Sequence, residues 1–290
     1  MAHSWLANPR ETRAVLERHG FLLKHRLGQN FLVEDGVIGR ILKLAELDQE
    51  DVVYEVGPGI GTLTVAMLPH VRKVVAVEAD RTLPPVLAET CARDGEKLAL
   101  LEGDALKVSL ADLAQAAGAE PTKLVSNLPY QVAATVVLGA LEHMPSIGRL
   151  VVMVQSEVAD RMAAGPKTKE YGAYTVKLSL FGRVTGRFEV GPGNFMPPPH
   201  VSSAVVRIDR SSELLDGGGS VDAARVCRVV DAAFAQRRKT IRNSLFANGF
   251  SKEVLDEAFA ATGIDGRLRA EALAPEDFVV LAKGLTDVVL

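Results

Sequence analysis

Residues 52–61 read Val-Val-Tyr-Glu-Val-Gly-Pro-Gly-Ile-Gly, and a helix-compatible stretch begins at Thr62. A short apolar run stopped by glycine predicts a strand buried on both faces. Glycines at 57, 59 and 61 let the backbone turn sharply and approach a ligand closely. They do so at the carboxyl end of a strand, where open α/β sheets bind their ligands. The spacing is G-x-G-x-G and not the G-x-G-x-x-G of dinucleotide binders, so it favours a nucleoside-type cofactor over NAD. By itself the turn could also be purely structural.

Similar runs recur outward from this stretch, at 73–77, 97–101, 123–126 and 150–154, separated by segments of helical composition. Continuous apolar strands alternating with helices predict a parallel sheet covered on both faces. Two further runs, 182–190 and 203–208, have no long helix between them and are expected to pair antiparallel at the sheet edge. The sum is a seven-stranded doubly wound, Rossmann-like sheet of the methyltransferase variety. Upstream, Asn8 is placed to cap a helix that starts at Pro9 and runs to about His19, with Glu11 closing a capping box. A second helix is expected over 35–47. Ser211 to Ser220, with three glycines at 217–219, reads as a linker. Beyond it, helical patterns at 222–236, 238–247, 252–261 and 275–288 predict a small all-α domain. The expected organisation is therefore a cofactor-binding domain over 1–210 with an N-terminal helical extension over 1–27, a linker at 211–220, and a helical domain over 221–290.

The 290 residues are 48% hydrophobic and 24% charged, enough for a full core and a smaller second unit. No apolar run reaches the roughly 18 residues of a membrane span, and the first thirty residues carry charges throughout, so a cytoplasmic protein without membrane association is expected. Cys91 and Cys227 stand alone, which points to reduced core residues and to no metal site. The net charge of −3 requires any nucleic-acid surface to be a local patch. Candidates are Lys24, His25 and Arg26; Arg161, Lys167 and Lys169; and Arg237, Arg238, Lys239 and Arg242. Each could equally be a solvated helix face.

Three strand ends present chemistry. Glu78 ends the second strand, beside the glycine turn, where a carboxylate can accept bonds from both ribose hydroxyls. Asp104, in Gly-Asp-Ala after the third strand, is placed to meet an adenine amine. The fourth strand runs directly into Asn127-Leu128-Pro129-Tyr130. An adenine amino group is a poor nucleophile because its lone pair is delocalised into the ring. The Asn127 side-chain oxygen and the Leu128 carbonyl can hold its N–H bonds and localise that pair. Pro129 fixes the turn, and Tyr130 offers a face for an unstacked base. In-line transfer of a methyl group from a sulfonium needs no general base, so the lack of a catalytic triad fits positioning as the main source of rate.

With these residues the chain resembles the KsgA family of small-subunit ribosomal RNA adenine N6-dimethyltransferases. The resemblance runs from about residue 24 to 250 and covers Gly28-Gln29-Asn30-Phe31-Leu32, the 55–61 turn, Glu78, Gly103-Asp104, Asn127 to Tyr130, Phe195 to Ala204, and Gln236 to Leu245. It implies S-adenosylmethionine as cofactor. Asn30 and Leu32 would close over its methionine end, Gly57 and Gly59 would lie beneath it, Glu78 would hold its ribose and Asp104 its adenine, and Asn127 would touch both cofactor and target. Phe195 would form the second aromatic face opposite Tyr130, although a core role is open to it. Arg237, Arg238, Lys239 and Arg242 would face RNA phosphate, and the helical domain as a whole would bind RNA or ribosome. The implied substrate is a pair of adjacent adenosines in a hairpin loop near the 3′ end of 16S rRNA, in the 30S subunit or its precursor, met by a monomer during ribosome biogenesis. Two features depart from the family: about twenty extra residues before Lys24, and the low overall charge. The alternatives are an Erm-type methyltransferase of 23S rRNA, a protein acting mainly as a small-subunit assembly factor and, most distantly, an NAD-linked dehydrogenase.

Overall fold

The computed structural model describes residues 2–21, 30–216 and 221–285. The strands are β1 (Phe31–Leu32), β2 (Val52–Val56), β3 (Lys73–Glu78), β4 (Leu98–Glu102), β5 (Lys123–Asn127), β6 (Arg149–Gln155), β7 (Gly182–Val190), β8 (Phe195–Met196) and β9 (Ser203–Arg210). The α-helices are α1 (Pro9–Arg18), α2 (Asp35–Ala45), α3 (Thr62–Met67), α4 (Pro84–Thr90), α5 (Leu110–Ala117), α6 (Ala133–His143), α7 (Ser156–Met162), α8 (Ala173–Phe181), α9 (Glu213–Asp216), α10 (Ala223–Phe234), α11 (Ile241–Ala247), α12 (Lys252–Thr262) and α13 (Pro275–Gly284).

Seven strands form one sheet, as the sequence predicts, and their order is β4-β3-β2-β5-β6-β9-β7. The five strands from β4 to β6 are parallel, and β9 runs antiparallel to β6. All five residues of β2 are buried, as a central strand covered on both faces requires. At the edge, β7 alternates between exposed and partly buried positions, the period of a strand with one wet face. Outside this sheet, β1 and β8 form an antiparallel ribbon in which Phe31 faces Met196 and Leu32 faces Phe195.

The helix predicted at the N-terminus forms with Asn8 as its cap, but without the Glu11 capping box. The Asn8 side chain accepts from the Arg10 N–H at 2.8 Å. The Asn8 N–H turns back to the Leu6 carbonyl at 2.7 Å, so the donor that a Glu11 capping box would use is already taken. Leu6, Val15 and Leu16 pack with Phe31, Ile60, Leu83 and Val86, which seats the extension on the helices and turns beside β2.

The chain divides into two units, and the division differs from the single boundary that the sequence suggests. One unit is Met1–Ala159 with Val184–Asp209, and the other is Asp160–Arg183 with Arg210–Leu290. Residues 160–183, expected within the first domain, thus belong with the C-terminal helices. The reason is hydrophobic: Tyr171, Val176 and Leu180 share a core with Val226, Val230, Leu255 and Phe278. The Tyr171 hydroxyl donates to the Leu273 carbonyl at 2.9 Å, and the Phe234 ring stacks on Phe278 with centroids 5.6 Å apart. Part of the expected linker is the short helix α9, while its glycines at 217–219 lie outside the described residues. The helix expected from 238 begins at Ile241, because the Thr240 side chain caps it by accepting from the Asn243 N–H. Of the helix expected over 275–288, residues 286–288 lie outside the described residues.

Register between β2 and β5 is pinned at their start by a buried acid. Asp51 accepts from Lys123 Nζ at 2.6 Å and from Thr122 Oγ1 at 2.7 Å, and its Oδ2 also takes the Asp48 N–H. With Asp51 5% exposed, removing the carboxylate strands donors that have little water to replace it. Asp51→Ala is expected to destabilise the protein by about 2–4 kcal/mol. It should lower the midpoint of chemical denaturation at an unchanged slope.

Candidate active site

A cavity of about 370 Å³ opens at the carboxyl ends of β2, β3, β4 and β5. It lies where the chain leaves β2 toward β3 on one side and β5 toward β6 on the other, the switch point at which open α/β sheets bind ligands. Asn30, Leu32, Gly57, Gly59, Glu78, Asp104, Asn127, Leu128, Pro129 and Tyr130, scattered over a hundred residues of sequence, all line it.

Its floor is the glycine turn. Gly57, Gly59 and Gly61 have φ of +65°, +61° and +89°, left-handed values that a side chain disfavours. The turn is also tightly packed: a Cβ added at Gly57 would meet Pro129 Cγ at 3.2 Å, so the Asn-Leu-Pro-Tyr segment rests on the glycine turn itself. At Gly59 the same atom would meet the Phe31 ring at 3.4 Å, which places β1 over the other side of the turn. Ser126 Oγ donates to the Val56 carbonyl at 2.6 Å and ties the two strand ends together.

Glu78 stands at the end of β3 with 7% of its surface exposed. One carboxylate oxygen accepts from the Gly59 N–H at 3.2 Å and the other from the Asp80 N–H at 2.9 Å. Burial raises its pKa, against the pull of these N–H bonds. Asp104 is exposed, and its Oδ1 accepts from the Leu106 N–H at 3.0 Å. Asn127 ends β5. Its Nδ2 points at the Asn30 carbonyl in a long contact of 3.5 Å, and the Leu128 N–H donates to the Met153 carbonyl at 3.1 Å. Tyr130 is half-buried and shares a hydrogen bond with Ser203 at 2.7 Å.

Phe195 is a correction to the sequence reading. It is 3% exposed and packs in the core with Leu32, Leu63 and Val190, and it does not line the cavity. Its backbone pairs with Leu32 across the β1–β8 ribbon. The basic candidates also separate. Arg237 donates to the Lys169 carbonyl and Arg242 pairs with Asp256, whereas Arg238 and Lys239 are exposed on the turn before α11. Lys24, His25, Arg26, Gly28 and Gln29 lie outside the described residues.

Sequence reasoning missed Glu55, whose signal was a lone carboxylate inside an apolar strand two residues before Gly57. Glu55 lines the cavity, is 2% exposed and accepts from Thr64 Oγ1 at 2.7 Å. Burial pushes its pKa up to about 8, with the nearby Glu78 adding to the rise and the Thr64 bond opposing it. It also missed Asp80 and Thr62 and gave Phe31 no role, though all three line the cavity. Among the described residues, no group of three or more His, Cys, Asp or Glu could hold a metal ion, and no helix is long and apolar enough to cross a membrane.

A doubly wound sheet whose last strands turn antiparallel, with its glycine turn and an Asn-Leu-Pro-Tyr corner facing one cavity, defines a Rossmann-like methyltransferase. Comparison with known proteins narrows the class. Residues 20–287 match the family model for ribosomal RNA adenine dimethylase. A ribosomal RNA small subunit methyltransferase A from Acidothermus cellulolyticus is 41% identical over 278 residues, covering 94% of this chain and 92% of that protein. The crystal structure of a dimethyladenosine transferase from Plasmodium falciparum superposes with a TM-score of 0.73 at 26% identity, covering 87% of this chain and 95% of the other. That of the 23S rRNA methyltransferase ErmE gives 0.63 at 24% identity, covering 88% and 99%, a likeness of fold. The chain belongs to the ribosomal RNA adenine dimethylase family, whose methyl donor is S-adenosylmethionine. The cavity fits that donor: it combines close backbone at the left-handed Gly57 and Gly59 with buried and exposed carboxylates suited to a diol, an amine and a cationic centre.

Two measurements follow. Glu55 has a folded pKa above its unfolded value, so its contribution to stability is present below about pH 4.5 and is lost as pH rises toward 8. Glu55→Gln removes that titration, and its Tm by calorimetry is expected to fall less than that of the wild type between pH 5 and 8. Phe195→Leu is expected to cost about 1–2 kcal/mol of stability, as a core change does, and to leave kcat near the wild-type value. A large loss of kcat at unchanged stability would place the ring at the target base.

Proposed function

We propose that this chain dimethylates N6 of two adjacent adenosines in a hairpin loop near the 3′ end of 16S rRNA, in the 30S subunit or its precursor, and so takes part in ribosome biogenesis. It would act as a monomer in the cytoplasm. One observation carries the reading. The Asn127–Tyr130 segment and the nucleoside-holding groups, Glu78 and the glycine turn, line one cavity, with Pro129 packed directly on Gly57. The relatives named as small-subunit methyltransferases support the choice of subunit.

The donor, when bound, supplies an electrophilic methyl group on a sulfonium. This chain's residues do the rest. Glu78, anchored by two backbone N–H bonds, would hold the ribose hydroxyls, and Asp104, with Oδ1 held to its own turn, would meet the adenine. Asn30 and Leu32 would cover the methionine end. With Asn127 Nδ2 directed to the Asn30 carbonyl, its Oδ1 is the atom to accept an N–H bond from the target amine. The Leu128 carbonyl would accept the other, and together they localise the nitrogen lone pair along the line of transfer. Tyr130 would stack on the unstacked base, a contact worth roughly 1–3 kcal/mol. The methylated amine is acidic enough to lose its proton to water, so the nearby carboxylates are left to bind and orient. Arg238 and Lys239, with Arg237 and Arg242 beside them, would meet RNA phosphate.

Labelled methyl transfer to undermethylated small subunits, large subunits and naked RNA, followed by nucleoside analysis, tests this. Dimethyladenosine is expected with small subunits; label on large-subunit RNA would overturn the choice of substrate. Asn127→Ala should lower kcat on the order of 10²–10³-fold with an unchanged melting profile, because it removes an acceptor placed for the reacting group.

A further inference from the structure

We propose that Ser203 is a positioning residue for the reaction: its hydroxyl anchors the far end of the Tyr130 ring and so fixes where the ring stands beside the target base. The proposal rests on the role given to Tyr130 above. Tyr130 sits on the turn after β5, half-exposed at the cavity, where an untethered aromatic side chain could swing about its Cα–Cβ bond away from the place a stacked base requires. The far end of the ring is tethered, because the hydroxyl and Ser203 Oγ are 2.7 Å apart.

The anchor is rigid. Ser203 is wholly buried at the start of β9 and is paired with Gln155 at the end of β6. One residue earlier, the Ser202 carbonyl accepts from the Ser156 N–H at 2.9 Å, fixing the backbone from which Ser203 projects. Because Ser203 is fully buried, parting the two hydroxyls would leave its oxygen without a partner, so the ring is kept docked. Stacking needs only the ring, and phenylalanine would supply the same face without a hydroxyl to desolvate. What the Tyr130 hydroxyl adds here is the tether. Burial also raises the pKa of Tyr130, so the hydroxyl stays neutral and able to share its bond through the physiological range.

The tether predicts a specific kinetic signature. In transfer to undermethylated small subunits, Tyr130→Phe and Ser203→Ala should each lower kcat by about five- to tenfold, the weight of one hydrogen bond. KM for the subunits and the cofactor Kd by calorimetry should not move, since phosphate contacts and the glycine turn are intact. The double variant should be no worse than the worse single, and Ser203→Thr, which keeps the hydroxyl on a strand, should recover most of kcat. Unchanged kcat in Tyr130→Phe, or losses that multiply in the double variant, would overturn the proposal. Should Ser203→Ala not fold, Tyr130→Phe breaks the same bond from the other side and decides alone. Wild-type protein that transfers nothing to small subunits would bring down the functional reading and this proposal with it. Active wild type with an unaffected Tyr130→Phe would bring down only the latter.

Discussion

Two neighbouring parallel strands whose chains depart to opposite sides leave a crevice at their carboxyl ends that no crossover helix covers. In this protein the crevice lies between β2 and β5, and the site depends on it. The strand ends are brought together by a short bond from Ser126 to the Val56 carbonyl and, at the opposite end, by Asp51 with Thr122 and Lys123. Between those pins, everything past Val56 and Asn127 must turn out of the sheet within a residue or two. Left-handed glycines manage that on one side and a proline turn on the other. The two turns then rest on each other, at Gly57 and Pro129.

That packing explains why cofactor-holding and target-holding groups form one site and not two. The glycine turn exposes backbone without side chains, Glu78 is oriented by Gly59 and Asp80, and Asn127 is held by its neighbours. Each functional group is therefore oriented before any ligand arrives, the condition under which positioning alone can supply much of a rate. The buried acid Glu55 sits in the same place with a raised pKa. A second full negative charge beside Glu78 would be costly at this depth, and protonation removes it near neutral pH.

The edges of the first unit are where additions accumulate. The β1–β8 ribbon brings residues 31–32 against 195–196, and α1 packs behind it on Phe31 and Ile60. The N-terminal extension, which begins before the family match at residue 20, is thus part of the packing around the cavity's rim. The C-terminal unit has its own core, built around Tyr171, Phe234 and Phe278, and draws in α8 from the middle of the chain.

The sequence by itself determined the seven strands of the main sheet and the groups at their ends, because burial on both faces writes continuous apolar runs and sharp turns require glycine and proline; the β1–β8 ribbon was not legible. Glu78, Asp104 and Asn127–Tyr130 were legible for the same reason: a polar residue directly after such a run has one place to be. Only the tertiary structure decided where side chains with two credible environments settled. Phe195 reads as a stacking face with a core role open to it, and pairing with Leu32 across the ribbon goes with its place in the core. Residues 160–183 carry no signal of the core they join, since membership depends on partners fifty to a hundred residues away. Glu55 and Ser203 look like an interruption and an ordinary polar residue until folding sets them against Thr64 and Tyr130. Periodicity and turn chemistry are local and survive in one dimension; partnership across the fold is not.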